Sequence, residues 1–297
     1  LITAGTQNSI FLMASLLTDA RTTVALEEPG IPEIRPLFEF SGASLLAVPT
    51  DDEGLRPVPE LSGCGYCYLR PAAQSPTVAR LSAERRAALL DWAEAEDGIL
   101  LENDDDGEFN YLGDTMPALK ARDRAERVIY FASFRGILGA GIRLGYIVAP
   151  AAVIRELRHL RRRVLRHVSS NLQRTAAWFI ADGYYESTLL RLNKAYRARW
   201  EAMWQALNDS LPEAITCRPP GGMGYWLRFP EGTDSAALAR RCLERGIFIT
   251  GGVPWFATAP DRLDHLRIGF TAIQEQHIAA GVEGIAAALR DLSRPAP

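Results

Sequence analysis

At 297 residues the chain can bury a large core, and one α/β domain with a smaller satellite is the expected organisation. A formal charge of −3 with 47% hydrophobic residues describes an ordinary globular protein and gives no ground for nucleic-acid affinity in this segment. The sequence has no apolar run long enough to span a bilayer and no signal-peptide pattern; its cysteines read as unpaired core thiols, for which the cytoplasm is the expected compartment.

The chain opens at Leu1 inside a strand-like run, without an initiator Met, and is expected to be a piece that has lost something upstream. Leu1 to Ala4 reads as a strand end, followed by a helix over Thr6–Leu17, a strand over Thr23–Leu26 and a helix over Pro32–Ser41. Strands at Ser44–Val48 and Tyr66–Leu69 precede a helix over Ser82–Glu96, with Ser82 and Glu84 near its start. Strands then follow at Gly98–Leu101, Val128–Phe131 and Leu144–Val148. This alternation predicts a mostly parallel sheet covered by helices on both faces.

The pattern changes near Ala151. Ala151–His167 reads as an arginine-rich amphipathic helix whose apolar positions Ile154, Leu157, Leu160 and Val164 keep helical spacing. Its arginines read as a solvated face rather than a nucleic-acid surface. Helices over Asn171–Ala181 and Tyr185–Ser210 follow. Strand Gly224–Arg228, helix Ser235–Arg245, strands Ile247–Thr250 and His265–Gly269, and helix Gln274–Leu292 form an α+β ending. These patterns place a domain boundary near residue 175, giving a large domain over 1–175 and a small one over 176–297, with Pro295-Ala296-Pro297 as a tail.

Basic residues are nearly all arginine, and the lysines are Lys120 and Lys194, as expected of a GC-rich bacterial gene. Cys64 and Cys67 form a CxxC pair, but residues three apart in an extended run face opposite sides, so they read as buried core thiols. Cys217 and Cys242 are isolated.

Seven strings carry the chemistry, in fixed order. Gly5-Thr6-Gln7 follows the first strand, Glu27-Glu28-Pro29-Gly30 the second, and Gln74-Ser75-Pro76-Thr77 comes next. Glu102-Asn103-Asp104-Asp105-Asp106-Gly107-Glu108-Phe109 precedes Ser133-Phe134-Arg135-Gly136 and Gly141-Ile142-Arg143-Leu144-Gly145-Tyr146, and Leu266-Arg267-Ile268-Gly269-Phe270 closes the series. The glycine at position 5 lets backbone approach a ligand, and amides at the following helix start favour an anion.

Together these strings resemble the aminotransferase-like domain of MocR/GabR-type bacterial regulators over essentially the whole chain. That resemblance implies the pyridoxal-phosphate (PLP) fold type I of the class I/II aminotransferase superfamily, with a large mostly parallel α/β domain and a smaller α+β C-terminal domain. It implies phosphate contacts from Gly5, Thr6, Gln7 and Arg143, further cofactor-binding positions at Asn103, Asp105 and Ser133, and substrate contacts from Ser75 and from Arg267 as the carboxylate clamp. It also implies a homodimer, and a winged-helix DNA-binding domain upstream through which DNA would be met.

Four positions depart from the family pattern, all at the coenzyme ring. The Schiff-base lysine position, seven residues before Arg143, is Gly136, and Arg135 cannot replace an amine because guanidinium stays protonated. Asn103 stands where an aspartate faces the ring nitrogen. Asp105 stands where a tyrosine bonds the phenolic oxygen, and Ile31 where an aromatic stacks on the ring. The expectation is a fold that kept its anion sites and lost transamination, namely an effector-binding domain for a small anionic or amino-acid-like ligand, with PLP not covalently bound and no catalytic residue assigned. The rival is an enzyme, either a PLP-dependent transferase or one recruited to new chemistry with Asp104, Asp105 or Glu108 as acid or base. The three adjacent aspartates read as solvated, and no metal ligand is assigned.

Overall fold

The computed structural model describes residues 1–112, 116–214, 218–257 and 263–292; Cys217 and the Pro295–Pro297 tail lie outside the described residues. Short runs rich in β-branched and aliphatic residues form the strands of the large sheet. In chain order these are β1 (Ile2–Thr3), β2 (Thr23–Glu28), β3 (Ser44–Asp51), β4 (Gly54–Leu55), β5 (Tyr66–Leu69), β6 (Ile99–Asn103), β7 (Val128–Ser133) and β8 (Gly145–Val148). Their spatial order is β1-β8-β7-β6-β5-β2-β3-β4. Pairings among β3, β2, β5, β6 and β7 are parallel, while β8 runs antiparallel to β7 and to β1.

Both faces of this sheet are covered. One face packs Ile10 and Met13 of α1 (Thr6–Leu17), Phe38 of α2 (Arg35–Glu39) and Leu157 from the arginine-rich helix against Val24, Leu101 and Phe131. The other packs Leu89 and Ala93 of α3 (Ala83–Ala95) against Ala25, Leu69 and Leu100. The Ser82 hydroxyl caps α3 by accepting the Arg85 amide at 3.3 Å, as its position in the sequence implies.

After the short α4 (Arg135–Leu138) come α5 (Ala151–Leu165), α6 (Ser170–Ala181) and the long α7 (Tyr184–Ser210). Arg155, Arg158, Arg162 and Arg163 of α5 face solvent, whereas Leu157 is fully buried. A second, antiparallel sheet orders β10 (Thr250–Gly251), β11 (His265–Gly269) and β9 (Gly224–Arg228). It packs with α8 (Ser235–Leu243), α9 (Ile278–Leu292) and α7 around Trp200, Tyr225, Leu266 and Ile285. Phe109, Tyr111 and Ile137 from the first half join that core. No helix among the described residues is long and apolar enough to cross a membrane.

Local differences from the sequence pattern have local causes. The helix expected over Pro32–Ser41 contracts to five residues, since Pro32 and Pro36 lack amide donors and Ile34 instead closes a turn on Ile31 at 3.1 Å. The strand expected at Ile247–Thr250 pairs only at its end, because the Ile247 amide is drawn to the Cys242 carbonyl at the end of α8 (2.9 Å). Cys64 lies in the turn before β5, so it enters the same core as Cys67 rather than the opposite face; burial pushes both thiols up, away from reactivity.

Candidate ligand-binding site

The topology gathers the sequence motifs at one edge. Parallel strands β2, β5, β6 and β7 all end there; β8 starts there with Gly145 opposite Ser133, and β1 ends there with Thr3 opposite Gly145. The carboxyl ends of such strands are where open α/β sheets bind ligands. A cavity of about 360 Å³ opens at this edge. Gly5, Thr6, Gln7, Asn103, Asp105, Ser133 and Arg143, all singled out from sequence, line it together, and so does Ile31.

Gly5 has φ +93°, a region that side chains avoid, and a Cβ there would stand 3.8 Å from the Arg143 guanidinium carbon. Gly145 is also required: a Cβ would meet the Ala132 carbonyl at 2.9 Å and Gly5 Cα at 3.0 Å. These two glycines bring the start of α1, the end of β7 and Arg143 against one another.

The acidic run after β6 differs from expectation: its carboxylates are engaged, because the chain leaves β6 into a crowded sheet edge. Asp104 accepts from the Tyr130 hydroxyl at 3.0 Å, and Asp106 pairs with Arg70. Asp105, only 7% exposed, accepts the Thr6 hydroxyl at 2.6 and 2.9 Å and the Ser133 amide at 2.8 Å. Its carboxylate therefore turns to the start of α1, whereas the sequence reading set it at the position of the tyrosine that bonds the ring's phenolic oxygen. Asn103 donates to the Tyr68 hydroxyl at 2.9 Å and accepts the Asp105 amide at 3.1 Å, which fixes its amide at the cavity wall. Burial raises Asp104 and Glu108, and neither lines the cavity.

Arginines dominate the rest of the wall. Arg70 and Arg135 line the cavity, and sequence reasoning gave neither a binding role. Arg70 directly follows β5, so tracing which residue leaves each parallel strand would have found it. Burial works against its charge, but Asp106, followed by Tyr68, Asp105 and Glu27, outweighs that and holds the guanidinium above its ordinary basicity. Arg135 and Arg143 form no ion pair or side-chain hydrogen bond among the described residues. Arg267 does not line this cavity. It sits beside it, with burial lowering its basicity and with charge contacts to Asp106, Arg70 and Arg135. Its Nε is buried without a partner, and its guanidinium carbon lies 5.7 Å from the centre of the Trp255 ring. Ser75 is also outside the lining.

Gly136 is flanked by the lining residue Arg135 but does not itself line the cavity; a Cβ there would stand 3.0 Å from the Phe109 ring and 3.5 Å from the Met223 methyl. Lys120 pairs with Asp123 at 2.8 Å, and Lys194 lines a separate groove with Asn110 and Tyr111. Neither lysine reaches the arginine-lined cavity.

The profile of the family described as "Aminotransferase class I and II" matches residues 120–285. The chain belongs to this family. It is 37% identical to the HTH-type transcriptional regulator TauR of Rhodobacter capsulatus over 290 residues, covering 98% of this chain and 60% of TauR. It is 30% identical to the 2-aminoadipate transaminase of Thermus thermophilus, over 98% of this chain and 75% of that enzyme. Among solved structures, the Pyrococcus horikoshii kynurenine aminotransferase in complex with PMP superposes with a TM-score of 0.92 at 27% identity, covering 99% of this chain and 76% of that one. The fold is thus PLP fold type I, and the relatives include both regulators and enzymes.

Proposed function

We propose that this chain is the effector-binding, aminotransferase-like part of a MocR-type transcriptional regulator that binds a small anionic or amino-acid-like ligand without transamination. The observation that carries the reading is that no lysine lines the cavity, while both lysines of the chain are placed elsewhere. A Schiff base needs a primary amine, and guanidinium does not supply one. The residues present therefore do not suit a covalently held coenzyme, and Asn103 in place of a carboxylate offers a ring nitrogen no negative charge.

Arg135, Arg143 and Arg267 suit carboxylate or phosphate groups through their planar forks. The C-terminal part clasps the sheet edge near the cavity: Arg35 bonds Glu28 at 2.7 Å and the Trp255 carbonyl at 2.9 Å, and the Ala257 amide bonds Glu28 at 2.7 Å. A ligand that favours one setting of this clasp would bias a two-state element, which is what a sensor requires. A division near residue 175, within α6, belongs to the same reading; it is supported by Val168 and Ala176 packing with Leu144, whereas Tyr185, Leu189 and later residues of α7 pack on the C-terminal core. DNA contact through an upstream winged helix belongs to it as well, supported by the similarity to the HTH-type regulator TauR, and homodimer formation is carried with it as an expectation of the fold type I resemblance.

The test is to incubate the protein with PLP, follow the Schiff-base absorption band, and reduce with borohydride before peptide mapping. The expected result is no reducible adduct in the cavity. An adduct on a lysine there would instead favour the transaminase reading raised by the Thermus thermophilus relative.

A further inference from the structure

The start of α1 and the end of β7 form an anion cup from the Thr6 hydroxyl, the Ser133 amide and the Arg143 guanidinium behind Gly5. Donors converging on a helix start are suited to a phosphate, which needs several hydrogen bonds to each oxygen group. In this chain two of those donors are already taken by one residue. The Asp105 carboxylate receives the Thr6 hydroxyl on both oxygens, at 2.9 and 2.6 Å, and the Ser133 amide on one, at 2.8 Å. It is 7% exposed and is itself oriented by the bond from its amide to Asn103.

We infer that Asp105 is a resident carboxylate in the anion cup, making it the specificity-determining residue that excludes phosphate from the start of α1. A ligand's anion is then met by Arg135 and Arg143, whose guanidinium groups have no protein partner among the described residues. The reason is competition combined with repulsion. A phosphate dianion at the cup needs the same donors and would stand against a carboxylate at contact distance, where like charges in a partly dehydrated site repel strongly. A carboxylate-bearing ligand on the arginines needs neither donor. The inference deepens the reading above by naming which anion class the site rejects and which residue rejects it.

The experiment is titration of the intact chain with inorganic phosphate, at ionic strength held constant with sodium chloride, read by calorimetry and by melting temperature. Asp105→Asn removes the charge and keeps an acceptor for Thr6 and Ser133, while Asp105→Ser also opens space. Both variants are expected to bind phosphate at least about tenfold more tightly than the parent chain, the scale of one removed like charge at the wall of a cavity open to water. Adding Thr6→Val should cancel the gain, because it deletes the freed donor. Equal phosphate affinity in the parent and both Asp105 variants would overturn the inference, as would a gain that survives Thr6→Val. Circular dichroism and a two-state melt establish that each variant is folded before titration. The assay involves no amine, so its outcome is independent of the borohydride test: a reducible adduct sinks the non-catalytic reading, and unchanged phosphate affinity sinks only the role of Asp105.

Discussion

The two chemical halves of the cavity and its immediate surroundings follow opposite plans. Around the start of α1 most polar groups satisfy one another: Thr6 and the Ser133 amide bond Asp105, the Ala4 amide bonds Asn8 at 3.0 Å, and Thr3 shares a hydrogen bond with Ser9 at 2.7 Å, while the Ser133 hydroxyl is buried without a partner. Among the arginines the balance is incomplete, since Asp106 pairs with Arg70 while Arg135 and Arg143 have no partner among the described residues and Arg267 keeps a buried, unbonded Nε. Satisfied polar groups hold a fold in place, whereas the exposed guanidinium groups of Arg135 and Arg143 are hydrated and can exchange that water for a ligand's anion. The contrast assigns stability to one half of the wall and recognition to the other, and it can be broken residue by residue.

The largest effect is expected at the one arginine that behaves like the satisfied half. Arg70→Ala leaves Asp106 without its partner and should cost about 3–5 kcal/mol in urea unfolding, with the double variant Arg70→Ala/Asp106→Ala losing less than the single one. A cost below about 1 kcal/mol would move Arg70 into the recognition group.

Next in size is a pH effect. Burial raises Glu27 from 4.5 to about 7, so the folded chain prefers its protonated form. The contribution is present below pH 4.5 and is lost as pH rises through about 7, so stability falls across that window. Each unit of such a shift is worth about 1.4 kcal/mol, and Glu27→Gln should flatten the slope of melting temperature against pH. An unchanged slope would remove Glu27 from the account.

Gly5→Ala forces a side chain into φ +93° and should cost about 1–3 kcal/mol. It should also weaken anion binding, because the added methyl stands against Arg143. The smallest stability effect belongs to the recognition half: Arg135→Ala and Arg143→Ala should change unfolding free energy by no more than about 0.5 kcal/mol. Both should nevertheless abolish the melting shift produced by whichever carboxylate metabolite stabilises the parent chain in a screen. Loss of stability without loss of the ligand shift would reverse the assignment of the two halves.

Much of the fold was legible in the residues. The bounds of α1 at Thr6–Leu17, β5 at Tyr66–Leu69, β9 at Gly224–Arg228 and β11 at His265–Gly269 coincide with the sequence pattern. In each case hydrophobic periodicity and a flanking Gly, Thr or Pro act over a few residues. The two-residue β4 escaped notice because it carries too few residues to show a period, and α4 because it spans a single turn. At the site, the motif residues from Gly5 to Arg143 were found by their strings, whereas Arg70 and Arg135 were passed over because neither stands at a position with an assigned role.

By itself, then, the sequence determined the alternating α/β order, the glycine-led helix start, and the absence of lysine from every motif, since each is a property of neighbouring residues. Only the tertiary structure decided the partners of the three aspartates after β6, and the separation of Arg267 and Ser75 from the wall that carries Arg143. Those outcomes depend on the register of β1, β7 and β8, which sets residues from distant parts of the chain within hydrogen-bonding reach. Asp105 lies 99 positions from Thr6 and 28 from Ser133, and no local pattern encodes that meeting.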